Sequence, residues 1–153
     1  ILDSHRPASL LVISLNPVPQ LEAWCQHHGA VLHSISESDP EPLLQGLPRV
    51  DMAIVADQLE YMTRDAGARL IGLLRNLYTE RVVVLYQEKL APERLRWSRN
   101  AFLAMGLRRD AVFRQQEREM ALYSYELARY NFTRAWNNSR FWANPENWGK
   151  YWW

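Results

Sequence analysis

Three polar side chains occupy positions from which an α/β protein could do chemistry: Asn16, Glu37 and Asp57. Each closely follows a short apolar run that reads as a strand, and open α/β sheets bind ligands at the carboxyl ends of their strands. Asp57 ends the run Val50 to Ala56. A carboxylate there can position a substrate or accept a proton, and an Asp in such a place is also an ordinary turn residue. Asn16 lies in the turn Ser14-Leu15-Asn16-Pro17-Val18-Pro19, where it either contacts a ligand or caps the next helix. Glu37 sits with two other acids in Ser36-Glu-Ser-Asp-Pro-Glu-Pro42, whose bland reading is a solvated loop. The turn holding Asn16 lacks what such a turn normally offers a cofactor. It has no glycine to let the backbone approach, and its two prolines carry no N–H to bind an oxygen.

Other chemistries find less support. Cys25, His27, His28 and His33 are close in sequence, but Cys25 and His28 have no second ligand pair at matching spacing, so core packing or surface placement accounts for them and no metal is expected. The single cysteine excludes an internal disulfide. The sequence contains no Gly-x-Ser-x-Gly, no phosphate loop ending in Gly-Lys-Ser/Thr and no zinc-protease histidine pair.

The elements that must position these residues are legible from periodicity. Ala8 to Leu15 is an almost wholly apolar run, as expected of a central strand covered on both faces. Asn16 as N-cap and Pro17 at the first helical position predict a helix over 17–28 with Leu21, Trp24, Cys25 and His28 on its inner face and Gly29 ending it. A second strand over 30–35, a short helix ending near Gly46 and a third strand over 50–56 follow. Thr63 caps a long helix whose inner stripe is Ala66, Leu70, Leu73 or Leu74, and Leu77, with Arg64, Arg69 and Arg75 facing water. Residues 81–86 read as a fourth strand. Pro92 marks the start of a helix carrying Leu95, Phe102 and Met105 inward and stopping at Gly106. The runs 107–114 and 120–127 read as an antiparallel hairpin, although the second is equally compatible with a helix.

Length and charge set the frame. The 153 residues suit one domain, with 48% hydrophobic and 23% charged side chains. The longest apolar runs are too short to cross a bilayer and no secretory leader is visible in a chain that starts at Ile1, so a cytoplasmic location is expected. Residues 1–60 carry a net charge of −6 and the remainder +7. Much of the basic excess is arginine, including Arg94, Arg96 and Arg99. A solvated surface is the bland reading, an acidic partner or a second copy the sharper one. Nucleic acid is not expected, since no zinc finger, RNP-type motif or basic block is present.

The end of the chain is aromatic. Five of the seven tryptophans, Trp136, Trp142, Trp148, Trp152 and Trp153, lie in the last eighteen residues. Burying about 150 Å² of each at about 25 cal/mol per Å² contributes roughly 4 kcal/mol before entropy is subtracted, so they are expected to pack on something. The division expected is a domain over 1–130 and an aromatic tail over 131–153 folded onto it. A contact between copies and stacking on a ligand remain as alternatives, and Trp148, Trp152 and Trp153 are the candidate contact residues.

The string Val50-Asp-Met-Ala-Ile-Val-Ala-Asp-Gln-Leu-Glu-Tyr61, then Arg81-Val-Val-Val-Leu-Tyr86, then Phe102-Leu-Ala-Met-Gly-Leu-Arg-Arg-Asp-Ala-Val-Phe113 resembles the second half of a class I S-adenosylmethionine-dependent methyltransferase. The tail, with tryptophans around Asn144-Pro-Glu146, also resembles a proteobacterial family of unknown function. The first resemblance implies a Rossmann-like three-layer α/β fold, a mostly parallel sheet of strand order 3-2-1-4-5 and an antiparallel C-terminal hairpin. It also implies an acid-x-Gly-x-Gly loop after strand one, which aligns with Ser14 to Val18 and has lost both acid and glycines. Glu37, about 21 residues after Asn16, stands where the family's ribose-binding acid would be, and Asp39 could substitute. The chain between strands two and three is short enough to lack one strand-helix unit. Two readings follow. A degenerate, non-catalytic domain without cofactor would act as an interaction module through a protein partner or a second copy. An S-adenosylmethionine-dependent methyltransferase of unknown substrate would instead use Asn16, Glu37 and Asp57 to line a reduced pocket, with Asp57 as its positioning group. The missing glycines, the prolines and the missing unit favour the first.

Overall fold

The computed structural model describes residues 1–115, 118–130, 139–141, 143–148 and 150. A short helix α1 (Leu2–His5) leads into β1 (Ser9–Ile13), α2 (Pro19–His28), β2 (Val31–Ile35), α3 (Glu41–Leu44), β3 (Met52–Ala56), α4 (Arg64–Leu73), β4 (Arg81–Tyr86), α5 (Arg99–Ala104), β5 (Arg108–Gln115), β6 (Arg118–Glu126) and α6 (Leu127–Tyr130). The six strands form one sheet in the order β2-β1-β3-β4-β6-β5. The first four are parallel; β6 runs antiparallel to both β4 and β5, with an irregular register between Arg109 and Ala111. This is the mixed α/β architecture with the terminal hairpin that the resemblance implied.

The strand order corrects one expectation. β2 is the edge of the sheet and no strand stands outside it among the described residues, so the parallel part has four strands rather than five. The short link between β2 and β3 leaves no chain for the outer unit. β2 accordingly shows an edge strand's exposure, with Val31 on the surface.

Alternation along the strands sends side chains to two cores. Leu11, Ile13, Ala53, Val55, Val82, Val84, Tyr86, Tyr123 and Tyr125 face α4 and α5, where Leu70, Ile71, Leu74 and Phe102 meet them. Phe102 is fully buried and stacks on Tyr123 at 4.1 Å and Trp97 at 5.0 Å, with Tyr86 edge-on at 5.2 Å. The opposite face carries Leu10, Val12, Met52, Ile54 and Val83 with Cys25 of α2. Pairing puts Leu85, Ala111 and Leu122 on one side of the sheet, with Met120 and Phe113 opposite each other next to them. Phe113 is 51% exposed.

Several local expectations are corrected. α2 begins at Pro19, with Val18 at the cap, so Asn16 does not cap it; the helix can start at a proline because that position needs no N–H. His28 is exposed, stacked on Trp24 at 4.3 Å instead of turned inward. Thr63 does cap α4, accepting from the Ala66 N–H at 3.3 Å. The helix then widens into i→i+5 turns over Leu74–Tyr78, which moves Leu77 off the buried stripe and leaves it 57% exposed. Arg75 is turned from water toward the protein, donating to the Met105 carbonyl at 2.7 Å and lying 5.2 Å from the Tyr125 ring centre. No helix starts at Pro92: a 3-10 turn covers Glu93–Leu95, and α5 starts after Ser98, whose hydroxyl accepts from the Ala101 N–H at 3.2 Å.

Candidate functional site

The strand order reverses between β1 and β3, since β1 is followed in space by β2 on one side and by β3 on the other. At such a switch point the connecting loops leave in opposite directions and open a crevice. A cavity of about 460 Å³ lies there, lined by Ser14, Asn16, Pro17 and Val18 after β1, Ala56, Asp57 and Tyr61 after β3, Leu85, Gln87, Lys89 and Leu90 after β4, and Arg118, Glu119 and Met120 of the hairpin.

Two of the three residues singled out in the sequence meet in it. The Asn16 amide nitrogen donates to a carboxylate oxygen of Asp57 across 41 residues of chain. The backbone supports that meeting, because the Leu15 N–H donates to the Asp57 carbonyl at 3.4 Å. Asp57 takes a left-handed backbone, φ +47°. Asp tolerates this conformation better than most residues, and such angles concentrate where a structure holds a side chain in place. Tyr61 lines the same wall; partial desolvation and then the Asp57 charge push its pKa up. The Asp57 carboxylate is therefore held by Asn16 from the loop after β1, with Tyr61 beside it on its own loop.

Glu37 does not join them. Its side chain is exposed and does not line the cavity. The cause is Gln58, buried to 1% exposure, whose amide nitrogen donates to the carbonyls of Glu37 at 3.2 Å and Ser38 at 3.3 Å and so fixes the acidic loop by its backbone. Arg94, Arg96 and Arg99 are exposed on the segment before α5 and at its start and do not line this cavity; Arg96 approaches Glu88 at 4.0 Å, and Arg94 lines a shallow surface depression with Tyr61 and Arg64. Trp148 is 41% exposed and is not part of the cavity lining. Trp152 and Trp153 lie outside the described residues, as do Trp136 and Trp142.

Sequence reasoning missed Tyr61, Gln87, Lys89 and the hairpin residues Arg118 to Met120. Gln87 carried a usable signal, because it follows the strand 81–86 as Asp57 follows 50–56. The hairpin residues carried none, since only the pairing of β6 with β4 brings them over the crevice. Among the described residues no cluster of His, Cys, Asp and Glu could hold a metal ion, and Cys25 is buried with its thiol pKa raised by desolvation.

The donor set does not fit S-adenosylmethionine as the resembled family holds it. The turn after β1 brings Pro17 to the cavity, and Ser14 closes the turn locally by donating its hydroxyl to the Asn16 carbonyl at 2.8 Å. The acid after β2 faces solvent.

Comparison with known proteins agrees on the fold. No curated protein matches the chain. It is similar to magnesium protoporphyrin IX methyltransferase (ChlM) from Synechocystis PCC 6803 with bound SAM, at 17% identity over 81% of this chain and 73% of that one, TM-score 0.52. It is similar to PigF with SAH at 12% identity over 79% of this chain and 50% of that one, TM-score 0.52. It spans only 57% of an rRNA methylase from Escherichia coli, at 15% identity over 78% of this chain, TM-score 0.45. At these identities the likeness is one of fold, that of the methyltransferases. Residues 1–153 also match the model of a family described as "Family of unknown function (DUF6231)".

Proposed function

We propose that this chain, which belongs to the DUF6231 family of unknown function, is a methyltransferase-fold domain that works by binding and contact and does not transfer a methyl group. The observation that carries this reading is the turn after β1: with Pro17 at the crevice, Pro19 opening α2 and no glycine, it lacks the backbone N–H groups and the close approach that a cofactor cradle uses. Glu37 facing water points the same way. The Asp57 carboxylate, already engaged by Asn16, acts in this reading as the floor of a polar pocket.

The surfaces assigned to contact are the arginines Arg94, Arg96 and Arg99 and the aromatic segment, in which Phe141 is 66% and Trp148 41% exposed. In the same reading residues 131–153 are an aromatic tail packed on the same domain.

One observation favours a second reading, a S-adenosylmethionine-dependent methyltransferase of unknown substrate: the crevice is open and two of the three expected residues, Asn16 and Asp57, line it. Calorimetric titration with S-adenosylmethionine and S-adenosylhomocysteine separates the two. The binding-module reading expects no saturable heat at millimolar ligand. Micromolar binding that Asp57→Ala weakens supports the enzyme instead.

A further inference from the structure

Glu60 sits three residues beyond Asp57, on the 3-10 turn Leu59–Tyr61, and is completely shielded from solvent at 0% exposure. Its Oε1 accepts the backbone N–H of Gln87 at 2.7 Å. Its Oε2 is buried with no hydrogen-bond partner among the described residues. This one side chain therefore ties together two walls of the cavity: Asp57 and Tyr61 belong to its own loop, while Gln87, Lys89 and Leu90 belong to the loop after β4.

The surroundings suit a neutral acid. From its own loop Glu60 feels the Asp57 carboxylate, a like charge, and the Tyr61 hydroxyl. From β4 comes the Tyr86 hydroxyl, which accepts the Trp97 N–H at 2.8 Å. Beyond β4 lie Glu88 and Lys89, and from the segment before α5 comes Arg96, which faces Glu88. Burial raises the Glu60 pKa most; the backbone N–H groups of Gln87, Glu60 and Gln58 oppose it, and the Asp57 charge adds to it. A neutral carboxyl keeps its carbonyl oxygen on Gln87 and its proton on Oε2. An ionised one keeps the Gln87 N–H on Oε1 but leaves charge on the unpartnered Oε2 in a dry site, which proteins avoid by rearranging or admitting water.

We propose that Glu60 is a proton-held clasp on the cavity. Protonated, it holds the 57–61 loop against Gln87 to Leu90; on releasing its proton to water it lets Oε2 become hydrated, and the two walls part. The inference stands whatever ligand the cavity takes, and it fails or survives independently of the binding-module reading.

Amide hydrogen exchange on the whole chain, corrected for intrinsic rates, tests it from about pH 5 to about pH 9, above the ordinary glutamate range of about 4.3. Protection at residues 87–90 is expected to fall about tenfold across the Glu60 titration while the amides of β1 and β3 hold. Glu60→Gln, which keeps an oxygen for Gln87, is expected to show no such fall. The same fall in the variant, or no fall in the unaltered chain, overturns the proposal. Should the variant not fold, the side-chain carboxyl ¹³C resonance of Glu60 in the unaltered chain decides. Titration over the same pH range as the loss of protection supports the clasp, and titration in the ordinary glutamate range ends it.

Discussion

Asp57 and Glu60 are three residues apart and face opposite demands. Asp57 is half-buried at the cavity, held by Asn16, whereas Glu60 is sealed beneath it. A pH dependence of stability follows from Glu60. Burial holds its folded-state pKa above the unfolded value, so the folded chain keeps a proton that the unfolded chain gives up, and stability falls as pH rises. That contribution is complete below the ordinary glutamate range and is lost as pH passes through the raised folded value. The urea midpoint is expected to drop across that window and Glu60→Gln to remove the drop; an identical profile in both proteins would contradict it. At the core, Phe102→Ala removes a ring stacked on two others and is expected to cost about 3–5 kcal/mol in urea unfolding. Asp57 was legible in the sequence because it ends an apolar run. Glu60 was not, because an acid in the string Asp-Gln-Leu-Glu-Tyr looks solvated until the Gln87 N–H is seen to reach it.

The strands were readable because each is a short run of branched apolar residues, and β1, β3 and β4 fall where those runs predict. The helices were less so, since their ends depend on partners distant in sequence. α5 starts at Ser98 rather than near Pro92 because the Trp97 N–H is committed to the Tyr86 hydroxyl and its ring to the core, which keeps the chain before it out of a helix. The packing of α4 supplies a test at this scale. A Cβ placed on Gly67 would lie 2.7 Å from Cζ2 of the buried Trp97 and 3.1 Å from Cδ2 of Leu59. The better helix propensity of alanine therefore loses to overpacking, and Gly67→Ala is expected to destabilise by about 1–3 kcal/mol in urea unfolding. A stabilising effect would mean that Trp97 gives way.

At the scale of the molecule, the methyltransferase fold has no strand outside β2 among the described residues, a glycine-free turn after β1 and an open crevice at the strand ends. The shortened sheet was visible as a short link between β2 and β3. The crevice was legible at Asn16 and Asp57, while its hairpin wall was not, because that wall depends on the hairpin returning beside β4. No helix among the described residues is long and apolar enough to cross a membrane. If residues 131–153 pack on the domain, a chain ending at Tyr130 should unfold cooperatively and bind a hydrophobic dye more strongly than the full chain. Equal dye binding would place the segment elsewhere. The most direct test of the central claim is an amide chemical-shift titration of the full chain with S-adenosylhomocysteine up to millimolar concentration. The expected result is no saturable shift at residues 14–18, 57–61 or 87–90; saturable shifts clustered there and abolished by Asp57→Ala would contradict it and return the chain to the cofactor-binding methyltransferases.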